Sequence, residues 1–149
     1  MRAFVLARLG PARFALLAQF LRFGTVGAMG FVVDVSVVYG LRGALGLYGA
    51  GAAAYLAAAT FTWAFNRIWT FRGPHRMAMH RQWAMFLATN LVGFAVNRGL
   101  FFALVTWSAF CAAYPVVAIA AGVGAGMFLN FAAARQVVFA RGGVERREG

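Results

Sequence analysis

The chain has no lysine, three acidic residues and a single cysteine in 149 residues. Asp34 is the only acid ahead of the C-terminal Glu145 and Glu148. Paired carboxylates, a Ser/His/Asp set and a thiol beside a base are therefore all missing, and the sequence reads as a non-enzyme with no cofactor. Cys111 cannot close an intrachain disulfide. His75 and His80 have no Cys or carboxylate at ligand spacing, so no metal site is expected, and both are read as solvated loop residues. Charged residues make up only 11% against 63% hydrophobic, with a mean hydropathy of +0.76. That leaves too little polar surface to coat a water-soluble domain and places the chain in lipid.

What charge there is comes from 14 arginines, which give a net charge of +11. A basic chain raises nucleic-acid binding, but these arginines border apolar runs instead of gathering on one soluble face. Nucleic acid is excluded as a partner and anionic membrane lipid is favoured. Twelve of the 14 fall in three groups: the N-terminus, the segment around residues 67–81, and the C-terminus from Arg135. By the positive-inside rule, these three places are cytoplasmic. Trp69 and Trp83 then mark the inner interface, and Tyr48, Trp107 and Tyr114 the outer one.

A helix needs about 20 residues to cross ~30 Å of hydrocarbon. Four such segments fit: 19–41, the 24 uncharged residues between Arg42 and Arg67, 83–107, and 115–134. Gly73 and Pro74 stop the second, within a polar loop that runs to Gln82. A hidden turn is required between Arg98 and Arg135, where 36 residues carry no charge. Residues 108–114 are the expected place, with Pro115 at a favourable first helical position. Residues 1–18 read as a cytoplasmic or interfacial segment, with a signal peptide as the competing reading, and residues 142–149 as a cytoplasmic tail.

The spans are written twice. Residues 20–34 align with 83–97 at an offset of 63, and residues 66–71 with 134–139 at an offset of 68. The expected fold is an all-α membrane protein of four transmembrane helices, built as two parallel two-helix repeats of about 19–72 and 82–141. Ala50, Ala54, Ala58, Thr62 and Asn66 recur every four residues, as do Ala118, Gly122, Gly126, Asn130 and Ala134. Lipid supplies no hydrophobic drive for association, so these small faces are expected to be the helix–helix seams, with Gly24, Gly27 and Gly30 added from the first span. The run Gly122-Val-Gly-Ala-Gly126 has no following Lys-Ser/Thr and no preceding strand, so helix packing is favoured over phosphate binding.

Asp34 and Arg98 are the charges hardest to explain as packing, because each costs ~3 kcal/mol or more inside hydrocarbon. At 1.5 Å per residue they lie about 18 and 25 Å from Arg22 and Arg81, beyond the midplane. A mutual ion pair would satisfy both, either as a lock on the bundle or as part of a polar path with Asn90, Asn97 and Asn130. Interhelical hydrogen bonding is the alternative role for each asparagine. Arg67 and Arg135, with Asn66, sit at the inner ends. Snorkelling is their ordinary role, and bidentate binding of a lipid phosphate or diphosphate the specific one.

Phe20-Leu-Arg-Phe-Gly-Thr-Val-Gly27, Phe65-Asn-Arg-Ile-Trp-Thr-Phe71 and Asn130-Phe-Ala-Ala-Ala-Arg-Gln-Val-Val-Phe139 resemble the GtrA-like family of small four-helix bacterial membrane proteins over about residues 18–141. The fourth span departs from the family's Asn-Arg-x-Trp-x-Phe pattern at Ala134 and Val137, which leaves Asn130, one turn earlier, to serve an Asn-dependent role there. The resemblance implies a multi-pass protein of the bacterial cytoplasmic membrane that flips polyprenyl-phosphate-linked sugars for cell-surface polysaccharide. It also implies a glycosyltransferase of the same pathway as a partner. A homodimer is expected because four short helices are thin around a path. Two other functions stay open: a non-transporting scaffold for that transferase, and a small proton-coupled exporter using Asp34.

Overall fold

A computed structural model of the protein describes the backbone of residues 2–140 and the side chains of residues 10–140. Among the described residues the chain is all-helical: α1 (Arg2–Phe65), α2 (Met79–Trp107), α3 (Ala109–Ala113) and α4 (Pro115–Ala133). Two π-turns, Asn66–Thr70 and Ala134–Val138, extend α1 and α4. Among the described residues, three helical runs are long and apolar enough to cross a membrane: Gly10–Thr70, Met79–Trp107 and Pro115–Val138. The chain divides into two compact units, residues 1–72 and 73–149.

In the first unit α1 folds back on itself. Residues 30 and 62 of a straight helix would lie about 48 Å apart, yet a methyl group added to Gly30 would collide with the Thr62 methyl. The reversal is at Gly46, where φ 66° and ψ 174° belong to a region open essentially to glycine alone. A second break, at Gly10 (φ 73°), leaves Pro11 to start a new helical run, where its missing N–H costs nothing. The helix therefore passes without interruption through residue 18, so the first span and the segment before it join at Gly10. The seam between the two arms holds Phe23, Val26 and Gly30 on one side and Ala50, Ala54 and Asn66 on the other, all buried. Gly27 is exposed, and a methyl group added there would meet open space, so it lies outside the seam. Residues 23, 26 and 30 follow the helical spacing i, i+3, i+7, and Gly27, four residues after 23, stands at the exposed edge of that stripe.

In the second unit α2 and α4 pack antiparallel. Gly93 lies against the Asn130 side chain, Gly126 against the Gly93 carbonyl, and Gly122 against Asn97. Ala118, Gly122, Gly126 and Ala134 are buried, and Gly124 is exposed with open space around it. The glycine run is thus a packing face, as its spacing implies. The connection uses a different device from Gly46. Ser108 ends α2 and accepts a hydrogen bond on Oγ from the Cys111 N–H at 3.3 Å, which starts the five-residue α3. Pro115 then opens α4. His75 is half-buried edge-on to Phe139, with ring centroids 5.6 Å apart, and not the fully solvated loop residue that its neighbours in sequence suggest.

Candidate functional site

Gln19 with Thr70 and Gln82 with Val138 mark the open ends of the two helical hairpins, and the same geometry occurs in both units. Gln19 donates through Nε2 to the Thr70 carbonyl at 3.5 Å, and Gln82 donates to the Val138 carbonyl at 3.0 Å. Phe23 meets Phe71 edge-on at 6.2 Å, and Phe86 meets Phe139 in the same way at 5.9 Å. Gly30 faces Thr62, and Gly93 faces Asn130. The Phe71 N–H reaches the Asn66 carbonyl at 2.8 Å, and the Phe139 N–H the Ala134 carbonyl at 2.7 Å. Each match is offset by 63 residues in the first helix of the unit and 68 in the second. Sequence reasoning missed the two glutamines, although they stand at the offset of 63 immediately before the aligned blocks.

A π-turn widens the last helical turn to an N–H···O=C bond across five residues, and such turns are frequent at functional sites. Each π-turn carries its arginine second, Arg67 half-buried and Arg135 exposed. The two guanidinium groups therefore occupy equivalent places at the ends of their hairpins. Each offers a planar fork matched to phosphate oxygens.

The side chains around the arginines differ between the units. In the first, Asn66 is 1% exposed and its Oδ1 has no hydrogen-bond partner. Thr70 is 3% exposed and its Oγ1 is likewise unpartnered, as is the buried Nε1 of Trp63. An unsatisfied buried polar group costs about 1–3 kcal/mol, so this cluster is expensive to keep. In the second unit the equivalent positions hold Phe131, Ala134 and Val138, all buried and all apolar.

The remaining polar candidates are placed as follows. Asn130 presses its side chain on Gly93 with Oδ1 unpartnered, and Asn97 lies against Gly122. Asn90 donates Nδ2 to the carbonyl of Phe86 at 2.8 Å, one turn back on its own helix. Asp34 is half-buried in the first unit. Arg98, in the second, is exposed and lies 5.6 Å from the centroid of the Phe94 ring.

Long apolar helices joined by sharp reversals, with seams of small residues, define an integral, multi-pass helical membrane protein. Residues 22–143 match the GtrA/DPMS transmembrane domain. That match takes in most of the chain, and the protein belongs to the GtrA/DPMS transmembrane-domain family. Neither a curated protein nor a solved structure matches the chain.

Proposed function

We propose that the protein is a carrier that moves a polyprenyl-phosphate-linked sugar across the bacterial cytoplasmic membrane for assembly of cell-surface polysaccharide. In this reading α1 supplies two spans, divided at Gly46, so the chain crosses four times as two parallel two-helix repeats with both termini cytoplasmic. Membership of the GtrA/DPMS family supports a part in lipid-linked sugar handling. The observation that carries the finer reading is the equivalence of Arg67 and Arg135, one on each π-turn. A pair of guanidinium forks at the inner end would hold the lipid phosphate while the prenyl chain stays in the bilayer. Asp34, Asn90, Asn97, Arg98 and Asn130 would line the polar path, and the carrier would act as a homodimer beside a glycosyltransferase.

The test is Arg67→Lys and Arg135→Lys in the protein reconstituted in vesicles with a fluorescent polyprenyl-phosphate hexose. Lysine keeps the charge and loses the fork, so translocation should fall at least tenfold while expression and insertion stay at parental levels. Two results would overturn the carrier reading and leave a transferase scaffold in its place. One is parental rates in both variants; the other is a parent protein that moves no lipid without the transferase.

A further inference from the structure

Trp63, Asn66 and Thr70 follow the spacing i, i+3, i+7 and share one stripe of the second arm of α1 and its π-turn. Along that stripe stand a donor (Trp63 Nε1), an acceptor (Asn66 Oδ1) and a hydroxyl that is both (Thr70 Oγ1), all buried and unpartnered. The second unit is an internal control. It repeats the glutamine-to-carbonyl bond, the edge-on phenylalanine pair and the π-turn with Phe131, Ala134 and Val138 in these three positions. Each exchange deletes the polar atom and leaves a buried apolar side chain in its place, Val for Thr with little change of shape. The local fold therefore does not require the three polar groups, and something other than folding keeps them.

We propose that this stripe is a recognition site for an uncharged, hydroxyl-rich ligand group, the hexose ring of a lipid-linked sugar, and that the first unit alone carries it. The alternation of donor, acceptor and dual hydroxyl matches vicinal sugar hydroxyls, each of which gives one hydrogen bond and takes others. It does not match an anion, which would need donors throughout. Arg67, next to Asn66 in the chain, places a phosphate-binding group beside a sugar-binding one. In the conformation described the stripe is closed, so the ligand gains access when the π-turn shifts register, as its wide turn permits. The inference rests on the carrier reading for its ligand, and the experiment separates the two.

Parent protein and the triple variant Trp63→Phe, Asn66→Ala, Thr70→Val, which carries the second unit's residues, are titrated in detergent micelles with polyprenyl phosphate and with polyprenyl-phosphate hexose. The parent should bind the hexose form at least tenfold more tightly than the bare phosphate. The triple variant should bind the two equally, with its affinity for the bare phosphate unchanged. In parallel, methyl hexoside should alter tryptophan emission in the parent and not in Asn66→Ala/Thr70→Val, which retains Trp63. Equal affinities in the parent, or a triple variant that still prefers the hexose form, would overturn the sugar site while the phosphate reading stands. If the parent binds neither lipid, the carrier reading falls and the hexoside arm alone decides: no emission change overturns the site as well. A triple variant that gains thermal stability with its preference intact marks the stripe as a buried water site only.

Discussion

The close approach of α2 and α4 gives the sharpest quantitative test. A methyl group on Gly122 would stand 2.6 Å from the backbone carbonyl oxygen of Asn97, and one on Gly126 would stand 2.9 Å from the Gly93 carbonyl oxygen. Carbonyls fixed in helical hydrogen bonds cannot rotate away, so the helices must move apart by about 0.5–1 Å, which forfeits a quarter to a half of the dispersion energy of each contact. Dispersion is the main force available where lipid replaces water. Gly122→Ala should therefore cost about 1–3 kcal/mol, the range for overpacking. Asn97→Ala should rescue it only in part, because it removes the side-chain Oδ1, which stands equally close at 2.6 Å, and leaves the backbone oxygen in place. Gly93→Ala differs, since its nearest neighbours are all atoms of the Asn130 side chain, and Asn130→Ala should restore most of its loss. Gly124→Ala points into open space and should cost nothing. Unfolding of the purified protein in mixed micelles titrated with dodecyl sulfate, followed by circular dichroism, measures all five variants. A Gly122→Ala midpoint at the parental value, or a Gly124→Ala loss as large as that of Gly122→Ala, would refute the packing argument.

Three further outcomes are expected. Reporter fusions after residues 44, 78, 110 and 149 should read outside, inside, outside and inside, and an outside signal at 78 or 149 would overturn the four-span reading. If Asp34 pairs with Arg98, Asp34→Ala should harm folding or transport more than the double change with Arg98→Ala, because the single change strands a charge in the membrane; simple additivity removes the pairing and favours Asp34 as a proton-coupling acid. Gln82→Ala should cost about 1–3 kcal/mol in the same unfolding assay and Gln19→Ala less, since the Gln82 bond is fully buried at 3.0 Å and the Gln19 bond is longer and partly exposed.

The parts of the fold legible in the sequence are those set by spacing. Small residues every fourth position in the second arm of α1 and in α4 can only form one face, and that face is the seam. The turn before Pro115 was legible because a proline and a serine bracket it. The reversal in α1 was harder to place, because Gly40, Gly43, Gly46 and Gly49 all fall near it, and only the backbone dihedrals single out Gly46. The π-turns had no sequence signal at all. Asn-Arg-Ile-Trp-Thr and Ala-Arg-Gln-Val-Val share one arginine, yet both adopt the same wide turn. The asparagines illustrate the limit for the candidate site: their types suggested a polar path, but composition could not say that Asn90 spends its amide on its own helix while Asn66 keeps an oxygen unpaired.

The reversal at Gly46 has a consequence for how the chain is made. The described contacts that set the register of α1, from Gln19 with Thr70 through Gly30 with Thr62, all lie within the first 71 residues. At ~5–20 residues per second, a ribosome needs roughly 4–15 s to make the 77 residues that follow Arg72. A helical hairpin with contacts this local closes far faster than that. The first hairpin can thus settle its register while the second is still being synthesised, and a mutation at Gly46 would strike that first hairpin before the second is complete.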